Sequence, residues 1–225
     1  MGFETASLIA LLQIIGINIV LSGDNAVVIA LACRSLPPRQ QRLGVILGAG
    51  TAVIMRLAFS DCVTYLLDTP FLKMAGGVLL LWIGIKLLAE KETGAHEFAA
   101  PADLWRAVRT VAMADLVMSL DNVIAMAAAA KGNPVLLALG LAISVPLVVF
   151  GAQLMIALIR RMPVIVTLGA AMIGYVAGEV IVSDPAVLPW VAIDAPWLEY
   201  VLPLLGAALV LQAGWALKSR RVAVS

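Results

Sequence analysis

Apolar runs of bilayer length, following one another with little between them, most restrict what this chain can become. Seven stand out, at about 6–32, 43–66, 70–89, 104–130, 134–158, 163–182 and 199–217. The hydrocarbon core of a bilayer is about 30 Å thick, a distance that about 20 helical residues cross. In that medium every backbone N–H and C=O needs a partner inside the protein, so only helices and closed barrels can span it. Runs this long and continuous suit helices and not barrel strands. The breaks carry turn chemistry: LPPRQQ, DTP, KGNP, RRMP and SDPAVLP. With 63% hydrophobic and 13% charged residues and a mean hydropathy of +1.05, the chain has too little polar surface to cover a globule in water. The expected fold is an all-α polytopic membrane protein, with seven transmembrane helices in a single transmembrane domain over residues 1–225.

The placement of charge orients it. Arg34, Arg39 and Arg42 occupy the first loop, Lys91, Arg106 and Arg109 the region of the third, Arg160 and Arg161 the fifth, and Lys218, Arg220 and Arg221 the tail. Alternate loops are poor in basic residues, and the sixth carries Asp184, Asp194 and Glu199 with no Lys or Arg. Basic loops stay on the cytoplasmic side, so the N-terminus is expected outside and the C-terminus inside. Trp190 and Trp197 then suit an outer interfacial belt. No basic patch with interleaved aromatics points to nucleic acid, so lipid is the expected surroundings, and an oligomer is compatible with everything above. Cys33 and Cys62 fall near opposite faces, which argues against a bridge. The start, MGFETA, has neither the basic region of a signal peptide nor the Ser or Thr of a myristoylation signal.

Two stretches break the apolar pattern, and they match. NIVLSGDN at 18–25 and DLVMSLDN at 115–122 align Asn18 with Asp115, Ser22 with Ser119, Asp24 with Asp121 and Asn25 with Asn122. Farther on, PFLKMAGG lies over PVIVTLGA, Pro70 over Pro163 and Gly76 over Gly169. The chain therefore reads as two three-helix repeats, about 6–89 and 104–182, joined by a cytoplasmic linker at about 90–103 and followed by a seventh helix at about 199–217. Three is odd, so the second repeat enters the membrane inverted. Transporters commonly use this plan, with the substrate site near the midplane where the repeats meet.

Residues four and seven apart share a helix face, so Asn18, Ser22 and Asn25 form one polar stripe and Asp115, Ser119 and Asn122 another. Gly23 would permit local unwinding beside Asp24. The donors are carboxylates, amides and hydroxyls, hard oxygen ligands that suit magnesium, calcium or manganese more than zinc or copper. The single His, His96, lies in the linker. Asp24, Asn25, Asp115, Asp121 and Asn122 are the expected metal-ion ligands. Asn18, Ser22, Ser119, Arg56, Met118 and Glu179 form a secondary set: Met118 as a soft contact, Arg56 as a partner of Asp61 or of an acid of the site, Glu179 as a snorkelling side chain or an exit marker. Lone Asn or Ser residues in membrane helices more often bond helix to helix, whereas an intramembrane acid is functional by default.

The paired stretches GINIVLSGDNAVVIALACRSLP and ADLVMSLDNVIAMAAAAKGN resemble the motifs of the TerC family of bacterial integral membrane proteins, in particular its short YjbE-like members. The likeness runs nearly the whole chain. It implies manganese efflux across the bacterial inner membrane, with Asp24, Asn25, Asp121 and Asn122 at the motif positions and Asp115 at an acidic position before the second. Asn18 stands where the first repeat would hold the equivalent acid, so the halves differ in charge. The expectation is a non-enzymatic divalent-cation exporter working by alternating access. It has no resident cofactor, only a transported ion, and in the absence of any phosphate-binding loop protons are the natural coupling ion. Three other functions fit less well. One is a calcium or cation–proton exchanger. Another is a noncatalytic membrane factor for metal loading of exported proteins. The third is an intramembrane aspartyl hydrolase, for which LSGD has Leu21 in place of the needed Gly and the paired Asn residues have no role.

Overall fold

The computed structural model describes residues 11–13, 15–16, 23–59, 69–90, 101–130 and 133–223, setting aside side chains at 59, 101–102, 120–121, 123–128, 134 and 218–223. Every regular element among them is an α-helix. In chain order these are α1 (Gly23–Cys33), α2 (Pro38–Phe59), α3 (Leu72–Ala89), α4 (Pro101–Ala129), α5 (Pro134–Arg161), α6 (Val164–Val182), α7 (Leu188–Asp194) and α8 (Leu198–Ala223); residues 11–13 and 15–16 are helical too. Among the described residues five helices, α2, α3, α5, α6 and α8, are long and apolar enough to cross a membrane. Seven spans were expected. Of the other two segments, α4 has the length at 29 residues but carries acids and arginines along it, and α1 as described is an apolar helix of 11 residues.

Several ends differ from the apolar runs because hydropathy marks only the greasy part of a helix. α2 begins at Pro38, inside the expected break, since proline at a first helical position loses no hydrogen bond. α5 runs on through Arg160 and Arg161, cations that a helix C-terminus favours. Its start follows the KGNP cue, with Asn133 Oδ1 accepting the N–H groups of Val135 and Leu136 at 3.0 and 3.2 Å. The expected sixth loop contains α7, whose Val191 is buried while Trp190 and Ile193 are exposed.

Packing arises where side chains are smallest. α6 is wedged between α3 and α8. A Cβ on Gly174 would lie 2.5 Å from Gly206 O, one on Gly178 would strike the backbone of Leu202 and Pro203, and one on Gly77 would come within 2.7 Å of Ala177 O. Glycines four residues apart let membrane helices approach backbone to backbone, where dispersion and not water exclusion holds them. α2 lies along α4 through Gly48, which faces Val111, and Gly44, which faces Leu104 and Cys33. α1 sits innermost: all nine residues from Asn25 to Cys33 are buried, against α5, α4, α2 and α6. A helix apolar on every side belongs in such a position. On the outside, Ile54, Trp82, Ile143, Phe150, Leu168 and Leu209 are exposed, as lipid contact requires.

The two ends of the bundle have opposite character. At the basic end, Arg34 Nη2 donates to Leu87 O at 3.0 Å and Glu90 O at 2.8 Å, closing the C-terminus of α3. At the other, the fully buried Asp184 closes the N-terminus of α3. Its Oδ1 accepts from the N–H of Phe71 and Ala186, both at 2.9 Å, and its Oδ2 from Met74 N–H at 3.0 Å. Burial pushes this carboxyl up, but the N–H groups of Ala186, Met74, Phe71 and Lys73 outweigh it and hold it below the usual carboxylate range. Phe71, at φ 67, is left-handed; the bond to Asp184 helps offset that strain.

Candidate functional site

Asp115 and Arg56 meet inside the bundle. Val111 faces Gly48 of α2, and one turn farther along α4 Asp115 reaches Arg56. Arg56 Nη2 donates to Asp115 Oδ1 at 2.6 Å and Nε donates to Ser119 Oγ at 2.9 Å. The two charged side chains are 4% and 3% exposed. Arg56 lies 14 residues along α2 from Arg42, or roughly 20 Å of helix, deep within a core about 30 Å thick. Breaking such a pair strands a charge where there is no water to receive it. The sequence left Arg56 with either Asp61 or an acid of the site; Asp115 is the partner, and Asp61 lies outside the described residues.

A small cavity adjoins the pair. It offers about 20 Å³ to the centre of a water-sized sphere, enough for one water or ion. Its polar walls are Asn25 of α1, Arg56 of α2 and Asp115 of α4, and its apolar walls include Val28, Ala52 and, from α5, Val145 and Val148. Four helices thus converge on it. Asp115 Oδ2 is buried and accepts no hydrogen bond among the described residues. A buried carboxylate oxygen without a donor is rare and calls for a water or a cation.

Asp24 is in the first turn of α1, where its Oδ1 accepts the N–H of Asn25 at 2.7 Å. It lies near enough to interact electrostatically with both Arg56 and Asp115, and Glu179 of α6 feels the charge of Asp24. Ser119 is buried as the second acceptor of Arg56, and Met118 is buried beside it. Asn122 is half-buried and Glu179 exposed. The structure therefore gathers Asn25, Arg56, Asp115 and Ser119 around one point, with Asp24 beside Asn25 and within electrostatic range of Arg56 and Asp115. Asp121 is in α4 with its side chain outside the description; Asn18 and Ser22 lie outside the described residues altogether. Among the described residues no three His, Cys, Asp or Glu side chains converge as a metal cluster. The apolar walls from α2 and α5 carried no signal in the sequence, being ordinary membrane-helix residues.

The integral membrane protein TerC family model matches residues 3–222. The chain belongs to the TerC family. It is 43% identical over 206 residues to the uncharacterized membrane protein YjbE of Bacillus subtilis (strain 168), covering 92% of this chain and 94% of YjbE. A second membrane protein of that organism, YkoY, is 24% identical over 186 residues, 74% of this chain and 57% of YkoY. The UPF0053 inner membrane protein YoaE of Escherichia coli (strain K12) is 27% identical over 177 residues, 70% of this chain but 34% of YoaE. No solved structure matches the chain. Within this TerC-family chain, the Ser-Gly-Asp-Asn stretch supplies Asp24 and Asn25 to the site, and the Ser-Leu-Asp-Asn stretch supplies Ser119. Asp115 comes from four residues before that Ser.

Proposed function

We propose that this protein exports a divalent metal cation, manganese foremost, from the cytoplasm by alternating access with protons as coupling ion. The observation that carries the reading is the cavity lined by Asn25, Arg56 and Asp115, with Asp115 Oδ2 lacking a donor among the described residues. Asp24, Asp115 and Asp121 would hold the ion, and Asn25 and Asn122 would add neutral oxygens. Those three acids with Arg56 leave two net negative charges, the charge one divalent cation balances. Between ions, Arg56 compensates Asp115; an arriving cation takes over that carboxylate. Oxygen donors alone favour manganese, calcium or magnesium over zinc. Moving two charges outward against 100 mV costs about 4.6 kcal/mol, which proton exchange would supply.

The packing supports the two inverted repeats that alternating access uses. α2 lies on α4 as α5 lies on α1, α3 touches α4 as α6 touches α1, and α3 pairs with α6. Exchanging the halves carries these pairings into one another, as an axis between the repeats would require. In this reading residues 11–13 and 15–16 belong with α1 to the first span, α4 is the fourth, and α8 stands outside the repeat.

The test is manganese flux in liposomes holding the purified protein. Asp24→Asn, Asp115→Asn and Asp121→Asn should each abolish it, while Asn25→Ala and Asn122→Ala should slow it less, since each loses one neutral oxygen. Wild-type flux through any of the three Asp→Asn variants would remove that acid from the ion's path. No manganese flux in the wild type would end the proposal.

A further inference from the structure

A second cleft opens at the basic end of the same α2–α5 seam. It encloses about 360 Å³, and its polar walls are Gln41, Arg42, Gln153, Arg160 and Arg161. Among the described residues no acid lines it, and Arg42 and Arg161, both exposed, are in no salt bridge. Arg160 is held in place: its Nη2 donates to Gln41 Oε1 at 3.0 Å. Gln41 is itself buried, its Nε2 donating to Cys33 O at 3.1 Å and Arg34 O at 3.3 Å at the end of α1. One guanidinium is thus anchored through a buried amide to the innermost helix, and two more stand free beside it.

We propose that this cleft binds the phosphate headgroup of an anionic membrane lipid. Three guanidinium groups in one concave site, with no carboxylate among the described residues lining it, select an anion, and their planar donors match phosphate oxygens. The neighbouring surface selects the lipid over a free ion. Leu43 and Ile46 on α2, and Phe150 and Leu154 on α5, are exposed below the arginines. Ile46 is one turn from Arg42, and Leu154 is two turns from Arg161, so these two apolar side chains continue the faces their arginines occupy. Acyl chains would run along these faces while the phosphate sits above. Basic pockets between helices at the cytoplasmic surface bind acidic headgroups in this manner. The position also has a consequence for charge. Ala49 and Val53 of α2 line the inner cavity one and two turns beyond Val45, which lines this cleft. A bound phosphate would screen three positive charges on the seam leading toward it.

The proposal does not depend on metal transport, and its test reads lipid alone. The full-length protein in detergent is given phosphatidylglycerol or phosphatidylcholine, and retained lipid is measured by native mass spectrometry. Phosphatidylglycerol should be retained on the order of tenfold better, and Arg42→Gln/Arg161→Gln should erase that preference. Those two side chains make no bond within the described residues, so folding should not suffer; Arg39→Gln, outside the cleft, should behave as wild type. Equal retention of both lipids, or full retention by the double variant, would overturn the assignment. Displacement of phosphatidylglycerol by millimolar inorganic phosphate would also overturn it, in favour of a free-anion site.

Discussion

Replacing Arg56 by Met removes the cation that touches Asp115. The contact is 2.6 Å long and both side chains are at most 4% exposed, so no solvent replaces what is lost. Stranding one member of a buried pair costs about 3–5 kcal/mol, and the lost bond to Ser119 adds about 1 kcal/mol. Against a total stability of about 5–15 kcal/mol, that lowers the unfolding midpoint by about 10 °C or more. Asp115→Asn should also destabilise, because it takes the buried carboxylate away from Arg56 Nη2. The double variant Arg56→Met/Asp115→Asn should cost at least about 2 kcal/mol less than the two single changes together. The assay is unfolding in detergent followed by circular dichroism for all four proteins, with and without manganese. If the ion competes with Arg56 for Asp115, manganese should stabilise Arg56→Met more than wild type, by about 2.7 kcal/mol at a hundred times its dissociation constant. It should do little for Asp115→Asn. Additive costs would show that the pair is not coupled. Equal stabilisation of wild type and Arg56→Met would show that the ion and Arg56 do not share a carboxylate.

Three further outcomes are expected. Asp184→Asn should lose about 1–3 kcal/mol at neutral pH, because an amide offers fewer lone pairs to the N–H groups around it. The folded carboxyl is held below its ordinary value of 3.8, so its contribution is complete above that value and fades as pH falls through the folded one; the gap between wild type and variant in a pH series of melts should close only below about pH 4. Gly178→Ala, whose Cβ meets the backbone of Leu202 and Pro203, should destabilise by about 1–3 kcal/mol or more, while Gly50→Ala, with nothing within 4 Å, should change the melting midpoint little or raise it. An impermeant tag at residues 184–198 should react from outside intact cells and one after Lys218 should not; labelling of both from one side would remove the proposed topology.

The helical membrane class was legible in the residues themselves because its causes are local. A run of apolar residues, an Asn before a Pro, or arginines at a helix end act within a few residues. α3 and α6 accordingly lie within two residues of where their apolar runs place them. The paired Asp-Asn stretches stood out for a related reason: polar groups in such apolar company are costly. The register between helices was not legible. Arg56 finds Asp115 across 59 residues of sequence only because Gly48 lets α2 settle on Val111 of α4. Asp184, one loop acid among several in the sequence, becomes the cap of a helix that begins 112 residues earlier. The cavity walls and the arginine cleft likewise exist only once α2 and α5 stand side by side. Helix formation is decided by bonds a residue makes with its own neighbours in the chain, whereas the site is decided by which glycines allow which backbones to touch, and that is a property of the whole packed bundle.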